Sequence, residues 1–207
     1  MVKQKWLKWL TILFFVIGIS LVSYSLFQIG KGKYNVEKRK TEAQELIDKS
    51  QQNSKETDEE EEVPIVPETI EFQKGETIGL LYVPKLDKEL PIVEGTDEDD
   101  LELGVGHYMG TGYPMQNDQI VLSGHRDTVF RNFDQLEIGD TFIIKLPYGT
   151  FEYEIFDTEI VPADDTTVIG RYSEENLTVT TCYPFYFLGD APDRFIFYAR
   201  PLFDTDQ

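Results

Sequence analysis

The chain has 207 residues with 38 acidic and 19 basic side chains, a formal net charge of −19, and a single cysteine. One Cys excludes an intrachain disulfide, and with only His107 and His125 beside it, Cys₄ and Cys₂His₂ zinc sites are excluded too. An acidic surface also argues against nucleic acid, because phosphate neutralisation needs clustered Lys and Arg.

The charge divides the chain. Residues 1–68 hold 10 basic and 11 acidic residues, whereas residues 69–207 hold 9 and 27. The first region opens with a basic segment, residues 1–8, carrying Lys3, Lys5 and Lys8. An apolar run follows from Trp9 to Ile29 with no charged residue. At a helical rise of about 1.5 Å per residue it reaches roughly 32 Å, enough to cross a hydrocarbon core of about 30 Å. Trp6, Trp9 and Tyr24 stand where interfacial aromatics belong. The bland alternative is a cleaved signal peptide, but the run is long for one and no A-x-A-like site follows. An uncleaved anchor over 9–29 is the expectation. Lysines flank both sides of the run, so charge does not settle which side carries the rest of the chain.

Residues 30–68 are expected to form a juxtamembrane helix and an acidic linker. Val36–Ser50 is built of strong helix formers with Glu45 and Lys49 four apart. Beyond it, six acids between Glu56 and Glu62 and two prolines make a solvated, self-repelling spacer.

From Thr69 the pattern becomes short β-branched and aromatic runs between turn signals, which sets residues 69–207 apart as one domain. The expected strands are Thr77–Val83, Glu89–Val93, Gln119–Ser123, Thr141–Leu146, Thr150–Val161, Asn176–Cys182 and Arg194–Ala199. One short helix is expected near Asp97–Leu103. Seven or eight short strands with little helix mean an all-β sandwich or closed barrel, and a small barrel fits better.

Cys182 ends the run NLTVTTC just before Tyr183-Pro184, where a strand meets a loop. His125 ends a second strand in IVLSGHRDTVF, and Arg194 opens the last one. Singly, each residue has a bland reading: a buried small hydrophobe, a structural His, a surface ion-pair partner. If the three strand ends meet at one rim, they supply a nucleophile, an acid/base and a cation for a developing oxyanion.

The strings TVTTCYPF and SGHRDTVF, followed by Arg194, resemble the signature of the sortases, membrane-anchored cysteine transpeptidases of Gram-positive bacteria. YPF after the Cys and HRDTVF after the His are most similar to class D, and GVGHYMGTGYP resembles a segment that precedes the catalytic His in related classes. The resemblance implies a closed eight-stranded sortase-type β-barrel behind an N-terminal transmembrane helix. It also implies a single-pass protein of the cell membrane with its catalytic domain outside the cell.

The implied substrates are surface proteins with a C-terminal Leu-Pro-x-Thr-Gly or Leu-Pro-x-Thr-Ala sorting signal. The implied acceptor is an amino group of a peptidoglycan precursor or stem peptide. In the same sense Cys182 is the nucleophile that forms a thioacyl enzyme, His125 the acid/base, and Arg194 the oxyanion and positioning group. Thr180 and Thr181 are candidate signal contacts, and Val168 and Ile169 candidates for an apolar wall. No metal or cofactor is expected; consecutive acids in DEDDLELG cannot all face one ion.

A thiol ordinarily titrates near 8.5 and an imidazole near 6.5, so a thiolate–imidazolium pair is a minor form at neutral pH. Activity is therefore expected to rise toward mildly alkaline pH. His107 is read as packing or hydrogen bonding within a turn-rich loop.

Three other functions compete. L,D-transpeptidases carry His and Cys in one short segment, whereas here they lie 57 positions apart. A cysteine protease would deliver its products to water, and a non-enzymatic binding domain would not need Cys182.

Overall fold

The computed structural model describes residues 2–56, 72–170, 174–186 and 189–202. Alternation of apolar and polar residues produces eight strands: β1 (Thr77–Val83), β2 (Lys88–Glu94), β3 (Val105–His107), β4 (Gln119–Gly124), β5 (Thr141–Leu146), β6 (Gly149–Pro162), β7 (Asn176–Tyr183) and β8 (Asp193–Pro201). They close a barrel in the order β1-β2-β3-β4-β7-β8-β6-β5. The β2–β3 and β4–β7 pairs are parallel and the other pairs antiparallel.

Every expected strand is present, with ends moved by at most two residues. β3 is the addition. Its three residues are too few for a visible alternation, and they are extended because β2 and β4 offer ladders on either side.

The barrel interior is filled. Phe142 and Ile144 from β5, Tyr153 and Ile155 from β6, Leu177 and Val179 from β7, and Phe197 from β8 point inward and are buried. Phe133, from a 3-10 turn at Phe133–Gln135, stacks on Phe130 with centroids 4.1 Å apart and closes on Phe197 at 6.2 Å. With side chains occupying the lumen, a site for a large substrate must lie on the outer wall or rim.

The segments expected at 9–29 and 36–50 belong to one continuous helix, α1 (Val2–Glu56), about 82 Å long at the standard rise. It is long and apolar enough to cross a membrane. Its second half packs on the barrel instead of standing free as a polar element. Ala43 and Ile47 are buried against Leu80, which faces outward from β1. Arg39 donates to Thr77 Oγ1 at 3.1 Å, and Lys40 pairs with Glu89 at 3.3 Å, while Lys145 donates to the same carboxylate at 2.9 Å. The acidic linker lies mostly outside the described residues.

The Lys145 ammonium, and after it Lys40, holds the Glu89 carboxyl below its usual range against the opposing effect of partial burial. A depressed folded-state pKa means the contribution is complete above the unfolded value and is lost as pH falls through the lower folded one. Amide exchange over residues 39–50, corrected for intrinsic rates, is therefore expected to accelerate below about pH 4.5 before the barrel amides do.

The expected helix near Asp97 is a single turn, α2 (Glu98–Leu101). Asp100 is buried and accepts from the Asp97 amide at 3.2 Å, and Asp97 pairs with Lys74.

Candidate active site

Strand register brings the three chemical groups together. Cys182 on β7 lies directly opposite Arg194 on β8. Residues so paired share one face, with Cβ atoms about 5 Å apart. β4 runs parallel to β7 with Gly124 opposite Thr181, so His125, the next residue, comes alongside Cys182. The three strand ends form a cleft of about 400 Å³ lined by His125, Arg126, Cys182, Asp190, Arg194 and neighbouring backbone. Cys182 is a free, half-buried thiol facing this cleft.

The HRDTVF string builds one wall of the site. Its backbone turns tightly, with the His125 carbonyl accepting from the amides of Thr128 and Phe130 at 3.3 and 3.1 Å. The turn folds Phe130 back over Gly124, where a Cβ would meet the ring at 2.6 Å. Glycine before the His is therefore a packing requirement, and Val129 and Phe130 belong to the core.

Arg194 Nη1 donates to the carbonyls of Asp193 at 3.0 Å and Ala191 at 3.4 Å. Among the described residues its hydrogen-bond partners are backbone carbonyls, so its charge is oriented without a paired carboxylate.

Arg126 is a site residue that the sequence reading passed over. It is buried, and its guanidinium donates to the Pro184 carbonyl at 3.0 Å and the Gly189 carbonyl at 2.7 Å. Both acceptors lie on the β7–β8 loop, so Arg126 fastens the loop joining Cys182 to Arg194 onto the end of β4. The signal was its place directly after His125 in a strand-end motif; nothing in sequence tells a buried Arg from an exposed one.

Strand alternation sorts the remaining candidates. Thr178, Thr180 and Cys182 point outward from β7, beside Gln119, Val121 and Ser123 of β4. Together they make a floor running to the cleft, covered by protein over Gln119, Val121 and Thr178 and partly exposed at Ser123 and Thr180. Thr181 is not on it: it faces the interior, is buried, and donates to the Gly124 carbonyl at 2.8 Å. Its place one residue before Cys182 puts it on the opposite face, which corrects the expectation that it lines the substrate path.

Val168 and Ile169 sit half-buried on the β6–β7 loop, and the Val168 carbonyl accepts from Gln119 Nε2 at 2.8 Å. Asp165 accepts from both the amide and the hydroxyl of Thr167, which lowers its pKa and shapes that loop.

His107 lies away from the cleft. Its ring is buried, Nδ1 faces Glu94 Oε2 at 2.8 Å, and Nε2–H donates to the Gly112 carbonyl at 3.0 Å. The Tyr113 hydroxyl donates to the same Glu94 oxygen at 2.9 Å, and its ring stacks on His107 at 4.4 Å. Burial, then the Glu94 carboxylate, holds the Tyr113 hydroxyl protonated far above its ordinary range. The reading of His107 as a residue that packs and hydrogen-bonds agrees with this geometry, on a strand instead of a loop.

A family profile described as Sortase domain matches residues 81–202. Sortase D of Bacillus subtilis is 55% identical over 129 residues, covering 62% of this chain and 65% of that protein. The chain thus spans slightly under two thirds of that relative, and 38% of Sortase SrtE1 of Streptomyces coelicolor, at 30% identity over 55% of this chain. Among solved structures, the catalytic domain of B. anthracis SrtD matches at 43% identity and a TM-score of 0.56, covering 65% of this chain and 93% of that one. A Clostridium perfringens Sortase D5 transpeptidase matches at 28% identity and a TM-score of 0.61, covering 77% and 99%.

Proposed function

The chain belongs to the sortase family, and from that premise we propose that it is a membrane-anchored class D cysteine transpeptidase that cleaves a Leu-Pro-x-Thr-Gly or Leu-Pro-x-Thr-Ala sorting signal. The observation that carries this reading is the register: Cys182 and Arg194 are cross-strand partners, with His125 at the end of the neighbouring parallel strand.

In the proposed reaction, Cys182 attacks the Thr carbonyl carbon of the signal as a thiolate, its proton being held on His125. The tetrahedral oxyanion that forms is met by the Arg194 guanidinium, which the Asp193 and Ala191 carbonyls orient beforehand. Collapse breaks the peptide bond, and His125 gives its proton to the departing amine. The Thr acyl group remains on Sγ as a thioester. An incoming amine then attacks the thioester, His125 takes its proton, and Cys182 leaves as the thiolate with the new amide formed. The acceptor proposed is an amine of a peptidoglycan precursor or stem peptide.

Membrane anchoring is supported by α1. Apart from Tyr24 and Gln28 near its end, side chains around its full circumference from Trp9 to Ile29 are apolar or small, and the large apolar ones, including Phe14, Phe15, Leu21 and Phe27, are uncovered by protein. A helix apolar on every face and not packed in a core suits lipid. The catalytic barrel is proposed to face outward, where the sorting signal and wall amines are found.

The test uses the full chain in detergent with peptides ending in either signal, with and without an acceptor amine. An amide product that forms only with acceptor supports transpeptidation, whereas hydrolysis unaffected by amine makes the enzyme a protease. His125→Ala and Arg194→Ala are each expected to lower kcat/KM by about 10²-fold or more. An Arg194→Ala protein as active as wild type would remove its oxyanion role.

A further inference from the structure

Gln119 opens β4 at the end of the floor away from Cys182, and it is fully buried although β4 points it outward. The β6–β7 loop covers it. Gln119 Nε2 donates to the Val168 carbonyl at 2.8 Å and to Thr178 Oγ1 at 2.7 Å, and its Oε1 accepts from the Gly170 amide at 2.9 Å. Both amide protons and the carbonyl are thus engaged, with two of the three bonds going to loop backbone. An apolar residue would cover the barrel wall equally well; an amide that grips a carbonyl and an amide two residues apart fixes the conformation of the segment between them.

The near end of the loop is held separately, by the Ala163 amide donating to the Pro192 carbonyl at 2.9 Å. On the far side Glu175 accepts from Tyr153 Oη at 2.7 Å and from the Met115 amide at 2.6 Å. Among the described residues, Gln119 is therefore the side chain that fastens 168–170. Thr178, its partner on β7, is four residues from Cys182, about 13 Å along the strand. An extended peptide whose reacting carbonyl is at Cys182 reaches the fastened segment about four residues away.

We propose that Gln119 is a positioning residue: it holds Val168–Gly170 as a preformed wall for the apolar end of the sorting signal, setting affinity and selectivity for the signal without touching the reacting atoms. This rests on the function proposed above. Preformation means that the loop's ordering cost is met before the peptide arrives, so losing the latch weakens binding of that substrate. The loss appears in KM when chemistry is slow relative to dissociation.

The test is steady-state kinetics of Gln119→Met, similar in length but unable to make the three bonds. The expected result is a KM for the signal peptide raised about fivefold or more, with kcat and the KM for acceptor amine within twofold of wild type. Discrimination between Leu and Ala at the first signal position is expected to fall by a similar factor. An unchanged signal-peptide KM and discrimination overturn the proposal. So does a parallel loss in kcat and in both KM values, which marks a purely structural role. Should Gln119→Met not fold, Gly170 amide exchange in wild type decides: strong protection in the free enzyme supports the preformed wall, and free exchange that slows only with peptide overturns it. If wild type turns over no signal peptide, the functional reading fails and this role falls with it; failure in the variant alone leaves that reading intact.

Discussion

Cys182→Ala is expected to reduce turnover of any accepted sorting-signal peptide by about 10⁴-fold or more, because among the described residues no other thiol or hydroxyl lines the cleft to form the acyl intermediate. Among the described residues the cleft's remaining polar side chains are a His, two Arg and carboxylates. In wild type without acceptor amine, intact-protein mass spectrometry is expected to detect the acylated chain, and Cys182→Ala to give none. The half-buried thiol sits at a strand end facing the cleft, so its removal leaves no large core cavity and the thermal midpoint should stay within a few degrees. Turnover that survives in Cys182→Ala would sink the covalent mechanism; a collapsed midpoint would show that the thiol also holds the rim together.

His107 should behave in the opposite way. Removing it or Glu94 leaves the other partner buried in the wall beside Tyr113 with its hydrogen bond unmade. Leaving a buried polar group without its hydrogen-bond partner typically costs about 1–3 kcal/mol. His107→Ala and Glu94→Ala are each expected to lose stability in that range in urea titrations followed by far-UV circular dichroism. Their kcat/KM per folded molecule should remain near wild type, because neither residue lines the cleft. A His107→Ala enzyme that folds normally but has lost catalysis would show that the second histidine acts in the reaction.

The contrast between the two histidines shows what the sequence could reveal. Both sit among glycines near strand ends, and neither spacing nor composition separates a buried His from one at a cleft. His125 stands out through its place at a strand end in company with Cys182 and Arg194, and the resemblance of ordered motifs strengthens that association. Burial of His107 depends on Glu94 and Tyr113 arriving from β2 and the β3–β4 loop, which is a property of the closed wall. Thr180 and Thr181 make the same point on a smaller scale. Adjacent in sequence, they face opposite sides of β7 once its register is fixed.

The helix shows the limit from the other direction. Propensity indicates helix over 36–50 and apolarity indicates it over 9–29, yet two apolar residues four apart, Ala43 and Ile47, make too narrow a stripe to predict docking. The partner that gives them meaning, Leu80, is an outward-facing residue of a strand buried on both sides.

Strand alternation, the apolar run and the motif strings are local, carried by side-chain period and order along the chain, so the barrel class, a helix long and apolar enough to span a membrane and the candidate Cys–His–Arg set could be read from the sequence directly. Strand pairing is not local. Bringing His125 alongside Cys182, covering Gln119 with the β6–β7 loop, burying Arg126 beneath carbonyls of the β7–β8 loop and laying α1 along β1 each required segments distant in sequence to meet. Which partner a strand finds depends on closing the whole barrel around one filled core, and no window of sequence contains that condition.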